Sequence, residues 1–298
     1  MIVNVHFYGT PEEWAMPGHD VRVRPELGSA CDVVVMHAPG LINRKQYVDG
    51  QFVYYPDAIK IGITHEPRHK CEQAYGRLEG LSHKFRAIFV YDRILFKSPN
   101  AVWQLQAECW LKDRHIPKKT VLLTALCSCR ATQGSHNGYR ARAMAAELLT
   151  DMGVTVYGRG GYADVPGKAR NTSGIPGSVY PGDKWEVIAP AQFSVEAECN
   201  RVEYWFTEKL LDCLVMKTVP VYRGAPNVGD YFDTRGMLLW DTLADLRSIL
   251  EDIQAGRIQY ADFELYLSVN RVEAYRYAYP IRDCARKIAA ILEIYAQS

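Results

Sequence analysis

Short apolar runs alternate with polar segments along the whole chain, which is typical of an α/β protein. In the first part, apolar runs predict strands at residues 3–8, 33–36, 59–64 and 87–91. Helical spacing of apolar residues predicts helices at 71–81 and 102–112. The polar stretch 117–119 is the expected linker, so this part predicts an α/β domain at 1–118.

The second part repeats the alternation from residue 119 to residue 298. It predicts strands at 120–126, 154–157, 193–198, 218–222 and 237–240. Helices are predicted at 139–152, after residue 207 and at 243–253. Further helices are expected between 260 and 296, where they either complete this second α/β domain or pack back on the first.

The stretch 193–228 contains a strand, a helix and a second strand joined by short connections. The strand at 193–198 ends in acidic residues, and the helix carries Leu210, Leu211, Leu214 and Val215 on one face. Short strand–helix–strand units form parallel sheets, in which ligands bind at the carboxyl ends of strands beside helix N-termini. We therefore expect a binding site where this helix begins.

The first turn of that helix carries charged residues. Thr207 is the expected N-cap, and because Leu210 follows at the third helical position there is no capping box. Lys209 opposes the positive end of the helix dipole, so an anionic partner such as a phosphate or diphosphate is expected beside it. Glu208 is suited to accept hydrogen bonds from a ribose or sugar diol. The alternative is an ordinary surface Glu–Lys pair.

The order of residues in this stretch resembles a known family. Glu198, the run FTEKL at 206–210 and the run TVPVYRGAP at 218–226 follow the pattern F-E-N, V-T-E-K and V-P-V-x-x-G-x-P. That pattern is found in the nucleotide-sugar half of the family 10 glycosyltransferases, the α-1,3/4-fucosyltransferases. Cys199 stands where the family has asparagine. Tyr204 and Trp205 occupy the aromatic spacer before Thr207.

The resemblance implies a GT-B architecture, with two Rossmann-like α/β domains facing a cleft. It also implies an inverting, metal-independent transfer of a sugar, with GDP-fucose as the expected donor and a glycan hydroxyl as the acceptor. Residues 119–298 would then form the donor domain and residues 1–118 the acceptor side. The donor-binding residues implied in the 193–228 stretch are Glu198, Tyr204, Trp205, Glu208 and Lys209.

Other donor-side candidates lie before this stretch. The strand at 154–157 enters a glycine turn at Gly158, where backbone amides can approach a ligand closely, and this segment resembles the family's D-V-Y-G. Arg140 and Arg142 lie near the position of a family arginine that contacts the donor phosphates; the alternative is a solvated helix face. Lys184, which follows Asp183, resembles the lysine of the family's N-K pair.

The candidate general base lies in the first part. A predicted strand ends in the run His-Glu-Pro at 65–67, which puts the Glu66 carboxylate at a strand's carboxyl end. The segment resembles the family's short run around its proposed general base, and the alternative is that Glu66 is a loop carboxylate. If another carboxylate is the base, Glu196 and Glu198 are next.

Composition narrows the function classes. The chain has 298 residues, of which 48% are hydrophobic, and its net charge of +1 gives no support for binding to nucleic acid or to an anionic membrane surface. The 8 cysteines are scattered, so neither a zinc site nor a disulfide framework is indicated. No apolar run has the length of a membrane helix, and the first residues begin a strand, so a cytoplasmic location is expected.

Several enzyme classes lack their motifs in this sequence. There is no D-x-D element, so no metal is expected, and neither a P-loop nor a G-x-S-x-G element is present. The expected function is therefore glycosyl transfer in glycan biosynthesis. Two alternatives stay open: a nucleotide-sugar or glycan-binding protein without turnover, and a related transferase that uses another donor. The acceptor and the oligomeric state are not predicted.

Overall fold

A computed structural model describes residues 1–7, 9–26, 29–37, 55–65, 67–68, 72–105, 107–127, 137–157 and 183–297. Within these residues the chain forms two compact units. The first consists of Met1–Gln106 and Tyr279–Ser298, and the second of Ala107–Ala278.

The described elements alternate as an α/β protein requires. The strands are β1 (Ile2–His6), β2 (Asp20–Val23), β3 (Val33–His37), β4 (Ile59–Ile63), β5 (Ala87–Val90), β6 (Ala101–Trp103), β7 (Val121–Leu126), β8 (Val156–Tyr157), β9 (Ala191–Ala197), β10 (Val219–Arg223) and β11 (Leu238–Leu239). The helices are α1 (Glu72–Leu81), α2 (Asn137–Asp151), α3 (Lys184–Ile188), α4 (Glu208–Val215), α5 (Leu243–Gln254), α6 (Glu264–Tyr275) and α7 (Pro280–Gln297). Among the described residues, no helix has the length and apolar character needed to cross a membrane.

The first unit contains a parallel sheet in the order β2-β1-β3-β4-β5-β6. Alternate residues of its strands enter two different cores, because successive side chains point to opposite faces. On one face Val33 and Val35 pack against Ile288 and other residues of α7. On the other face Val34 and Met36 pack with Tyr75 of α1. Burial on both faces explains why these strands read as continuous apolar runs.

The second unit contains a parallel sheet in the order β11-β10-β9-β7-β8, with β9 at its centre. Phe193 of β9 makes edge-to-face contacts with Tyr260 and Phe263. Helix α4 lies in this core with every residue from Leu210 to Val215 buried. The strand–helix–strand unit predicted from the sequence is therefore confirmed, and its two strands are parallel.

One predicted helix is wrong. A helix was expected at 102–112, but its first two residues belong to the edge strand β6 (Ala101–Trp103), in which Val102 and Trp103 pair with Phe89 and Val90 of β5. Apolar residues can be stabilised by pairing with a neighbouring strand, and this tertiary contact overrides the helical spacing seen in the local sequence. The sequence pattern also failed to indicate strand β2 and the short helix α3.

The unit boundary differs from the expected division at residue 118. Residues 107–118 belong to the second unit, where the backbone amides of Trp110 and Leu111 donate hydrogen bonds of 2.7 and 3.0 Å to Asp212 Oδ1 on α4. At the other end of the chain, residues 279–298 belong to the first unit. Helix α7 supplies Ile281, Ile288 and Leu292 to that unit's core.

Lys119 ties together the amino-terminal ends of the second sheet. Its Nζ donates to the carbonyl oxygens of Ala189 and Met216 at 2.7 and 2.9 Å and to Thr218 Oγ1 at 2.7 Å. These acceptors precede β9 and β10, while Lys119 itself precedes β7. One ammonium group therefore links the starts of these strands.

We expect Lys119→Met to lower the free energy of unfolding by about 2 kcal/mol, because it leaves two carbonyls without a charged donor. Urea unfolding, with Lys118→Met as the control, measures this loss. Lys118 is the exposed neighbour, and its replacement is expected to have little effect. Equal midpoints for the two variants would contradict the role given to Lys119.

Candidate functional site

Polar side chains gather at the carboxyl end of the central strand β9. Successive residues of the strand face opposite ways, so Ser194 and Glu196 lie on one face and Glu198 continues that face just after the strand. The backbone amide of Glu198 donates to the Arg223 carbonyl at 2.8 Å, which extends the pairing with β10. Ser194, Glu196 and Glu198 are each 0% exposed. A polar strip thus runs under the start of α4.

Glu198 and Thr207 form the N-terminal cap of α4. The Thr207 side chain accepts a hydrogen bond from the Lys209 amide, as an N-cap does. The Thr207 amide donates to Glu198 Oε1 at 2.8 Å, and the Thr207 hydroxyl lies 2.9 Å from each carboxylate oxygen. The expected N-cap is therefore confirmed, and Glu198 fixes it to the end of β9.

Lys209 is surrounded by acceptors from its own turn and from Glu198. Its Nζ lies 2.8 Å from Glu208 Oε1, 3.2 Å from Thr207 Oγ1 and 3.8 Å from Glu198 Oε2. These carboxylates supply the negative charge that the sequence led us to expect from a ligand. Burial alone would raise the pKa of Glu208, but the charges of Lys209 and Lys184 outweigh it and lower the pKa to about 2. Glu208 is thus ionised at neutral pH.

Lys184 lies at the first position of α3 and pairs with a residue that the sequence analysis missed. Its Nζ is 2.7 Å from Asp212 Oδ2 and donates to the Glu208 carbonyl oxygen at 3.2 Å. The other Asp212 oxygen accepts from the amides of Trp110 and Leu111. The sequence did contain a signal for this pairing, because Asp212 is the single acidic residue inside the apolar run LLDCLV, and a fully buried carboxylate needs partners. Lys184 therefore holds α4 in place through Asp212.

Glu196 lacks the partners that Glu198 has. Its Oε1 accepts from Ser194 Oγ at 2.9 Å, and its Oε2 is buried with no hydrogen-bond partner in the part of the chain that the structure describes. Burial raises the pKa of Glu196 to about 8, against the opposing charge of Lys184. The carboxyl is therefore mostly protonated at neutral pH. A protonated carboxyl cannot accept a proton, so Glu196 does not suit the role of alternative general base at that pH.

The two candidate arginines of α2 differ in position. Arg142 is buried, and its Nε donates to the Ala197 carbonyl oxygen at the end of β9 at 2.6 Å. Arg140 is exposed to solvent. The structure therefore brings Arg142 to the polar strip, whereas Arg140 fits the alternative of a solvated helix face.

The aromatic residues 204–206, which precede Thr207, pack next to the N-terminal cap of α4 and hold it in place. Tyr204 has a positive φ of 63°, and its amide donates to Asn227 Oδ1 at 2.9 Å. Trp205 is 7% exposed and belongs to the core. Phe206 contacts the rings of Tyr231 and Phe232. These contacts set the direction in which the chain enters α4.

Two candidate residues, Glu66 and Gly158, lie outside the described residues. Before Glu66, the buried Thr64 hydroxyl donates to the Phe89 carbonyl oxygen at 3.1 Å, and His65 makes an edge-to-face contact with Phe7. In the described parts of the chain, no three His, Cys, Asp or Glu side chains come together in a way that could hold a metal ion.

Comparisons with protein-family models and with curated proteins found no match. Solved structures do match. An α1,3-fucosyltransferase is 13% identical with a TM-score of 0.51, over 89% of this chain and 80% of that one. An α-glucosyltransferase, in complex with UDP and a 13-mer DNA, is 13% identical with a TM-score of 0.57, over 93% and 94%. An α,α-trehalose-phosphate synthase (UDP-forming) from Burkholderia vietnamiensis is 10% identical with a TM-score of 0.57, over 89% and 73%.

At these identities the similarity shows the fold alone. The chain has the GT-B fold, built from two Rossmann-like α/β domains with parallel sheets. The fold class expected from the sequence is confirmed.

Proposed function

We propose that this chain is a glycosyltransferase that binds a nucleoside diphosphate sugar in its second unit and transfers the sugar to a hydroxyl of a glycan acceptor. The observation that carries the proposal is the network of Glu198, Thr207 and Lys209 at the start of α4. It places a cation and a helix N-terminus together at the carboxyl end of the central strand. This is the position where parallel α/β sheets bind ligands.

The donor diphosphate would interact with the cations of this site. Unpaired amides and the helix dipole attract an anion to the first turn of α4, and Lys209 adds a full charge. Its side chain is 19% exposed, so a ligand can reach it. Phosphate oxygens would take the place of a carboxylate as its partner, and Arg142 adds a second cation behind the site. Both charges stabilise the diphosphate as it leaves.

The chemical step needs a base for the acceptor hydroxyl, and Glu66 is our candidate. The sugar would pass through an oxocarbenium-like transition state while the base removes the acceptor's proton. Inversion follows if acceptor and leaving diphosphate lie on opposite faces of the sugar. This assignment is supported by the sequence around residues 61–67 and by the GT-B fold.

GDP-fucose is the donor that the sequence pattern favours. The runs at 206–210 and 218–226 support it, and so does the α1,3-fucosyltransferase among the similar structures. The choice of donor needs a direct comparison, because Cys199 stands where the family has an asparagine that could donate a hydrogen bond. UDP sugars are the alternative, since the similar α-glucosyltransferase is in complex with UDP and the trehalose-phosphate synthase is UDP-forming.

Calorimetric titration of the full chain with GDP, UDP, GDP-fucose and UDP-glucose tests the proposal. We expect saturable binding of a guanosine ligand, and product formation when the bound nucleotide sugar is mixed with a panel of glycan acceptors. Tighter binding of the uridine ligands would change the donor and keep the reaction class. Binding without sugar transfer or donor hydrolysis would favour a binding protein, and no binding at all would refute the proposal.

Excess EDTA is expected to leave the activity nearly unchanged. In the proposed mechanism Lys209, Arg142 and the helix amides provide the charge stabilisation that Mg²⁺ or Mn²⁺ provides in metal-dependent transferases. Initial rates with and without the chelator, on enzyme purified without added metal, measure this. Loss of turnover that returns with Mn²⁺ would contradict the assignment.

A further inference from the structure

Glu196 is a buried polar residue that the mechanism above does not use. It precedes Glu198 by two residues, and Glu198 continues the same face just after β9 ends, so their Cα atoms lie about 6.6 Å apart along the chain. Glu198 is satisfied by Thr207, whereas Glu196 Oε2 has no hydrogen-bond partner among the described residues. On the neighbouring strand β7, Thr124 Oγ1 is likewise buried without a partner among them.

An unpartnered buried carboxyl oxygen costs roughly 1–3 kcal/mol, so a buried group of this kind in a native protein needs an explanation, and a role in binding or catalysis is one. We propose that Glu196 is a donor-binding residue whose Oε2 hydrogen-bonds to a phosphate oxygen of the nucleoside diphosphate at the start of α4. This inference rests on the function proposed above, because it assigns a further contact within the same site.

A carboxyl group can donate to a phosphate only when it is protonated. The charged and titratable groups around Glu196 come from α3, α4, the end of β7 and the adjacent strand β10, and they are Lys184, Lys209, Cys213, Cys127 and Tyr222. Two of these are cations, yet burial outweighs them and raises the pKa of Glu196 to about 8. At neutral pH the carboxyl is therefore in the form that can donate.

The charges of the site explain why a neutral group is useful there. Lys209 already lies beside Glu208 and Glu198, and Lys184 is paired with Asp212. A further carboxylate would repel an incoming diphosphate, whereas a protonated carboxyl attracts it through a hydrogen bond. Diphosphate binding should therefore keep Glu196 protonated, and it should weaken once the pH exceeds the pKa of the free site.

The proposal predicts how nucleotide affinity depends on pH. GDP and UDP are titrated calorimetrically into the full chain, and the tighter binder is followed from about pH 7 to about pH 9, where the wild-type Kd should rise about tenfold for linkage to one proton. Glu196→Gln carries an amide N–H donor at every pH, so its Kd should change less than about twofold over this range. The variant should thus bind more tightly than the wild type at high pH.

A matched control and a truncation complete the experiment. Glu186→Gln removes an exposed carboxyl on the nearby helix α3 and should follow the wild-type curve. Glu196→Ala should bind about tenfold more weakly than the wild type near pH 7, as expected for one lost hydrogen bond to a charged group. An unchanged affinity in Glu196→Ala would overturn the proposal.

Stability gives a readout that needs no ligand. A pKa raised by folding means that the contribution of Glu196 is complete below the unfolded value and is lost as the pH rises toward about 8. The free energy of unfolding of the wild type should therefore fall relative to Glu196→Gln between about pH 5 and about pH 8. A constant difference between the two proteins would show that Glu196 is not protonated in the folded state, and would overturn the proposal.

The outcomes separate this inference from the proposed function. If nucleotides bind, but wild type and Glu196→Gln share one pH dependence, Glu196 does not touch the diphosphate and the transferase assignment stands. If the wild type binds neither nucleotide, the proposed donor site is refuted, and the proposed contact of Glu196 with the diphosphate is refuted as well.

Discussion

Lys209→Ala is expected to lower kcat/KM by at least about 10²-fold, a loss of roughly 2.7 kcal/mol of transition-state stabilisation. The physical reason is that Lys209 adds a full charge to the helix N-terminus at which the diphosphate leaves. Because the same contact exists before the reaction, GDP should also bind more weakly. Steady-state kinetics and GDP titration measure the two effects.

Removal of Lys209 should leave the fold intact. Glu208 is 18% exposed and can be solvated, and Glu198 keeps its hydrogen bonds from Thr207. Burial already raises the pKa of Glu198, so this carboxyl can become protonated when the cation is lost. Thermal unfolding of Lys209→Ala, and of Lys209→Met with its longer apolar stem, checks this.

Arg201→Ala is the control for the loss of a cation. Arg201 forms an exposed ion pair with Asp241, which contributes little to stability and lies outside the proposed contacts. Wild-type kinetics in Lys209→Ala would show that Lys209 is only a helix-surface cation and that the donor site is misplaced. Equal losses in both variants would indicate a general effect of charge.

Glu66→Gln is expected to lower kcat by about 10² or more while the donor Kd stays within a few-fold. Glutamine keeps the shape of the side chain and removes its basicity, so the acceptor hydroxyl would lose the group that takes its proton. Single-turnover kinetics with bound donor isolates this step.

Glu72→Gln is the matched control, because Glu72 is an exposed glutamate at the start of α1 in the same unit. Normal turnover in Glu66→Gln would mean that another carboxylate is the base. Loss of donor binding instead would place Glu66 in the nucleotide-sugar pocket. The two predictions therefore differ in kind, since Lys209→Ala weakens donor binding and turnover whereas Glu66→Gln weakens turnover alone.

Much of the candidate site in the second unit could be predicted from the sequence, because the residues that form it are close together in the chain. The apolar face of α4, the Thr207 cap and the break after β10 depend on residues within one or two turns of each other. Parallel pairing of β9 and β10 follows from the helical crossover through α4 that connects them. The placement of Glu198 and Lys209 beside that helix end follows from the same argument.

Long-range packing accounts for what the sequence pattern did not indicate. Nothing near Asp212 in sequence shows that it binds the backbone of Trp110 and Leu111, about a hundred residues earlier. Lys184 resembled a ligand-binding lysine, yet its closest partner is that aspartate. Arg140 and Arg142 looked equivalent in the sequence, and the structure distinguishes them by the burial of Arg142 and by its hydrogen bond to the Ala197 carbonyl oxygen.

Local patterns in the chain were enough to establish the alternation of strands and helices, the two parallel-sheet domains and the charged turn at the start of α4, because periodicity and capping act over a few residues. The folded structure was needed to show that residues 101–103 pair as an edge strand, that residues 279–298 join the first unit and that Glu196 is buried with one carboxyl oxygen lacking a partner among the described residues. These features depend on which distant segments exclude water from a side chain or supply its hydrogen bonds. Burial by distant segments sets the pKa of a side chain and determines its hydrogen-bond partners, and it leaves no local pattern in the sequence.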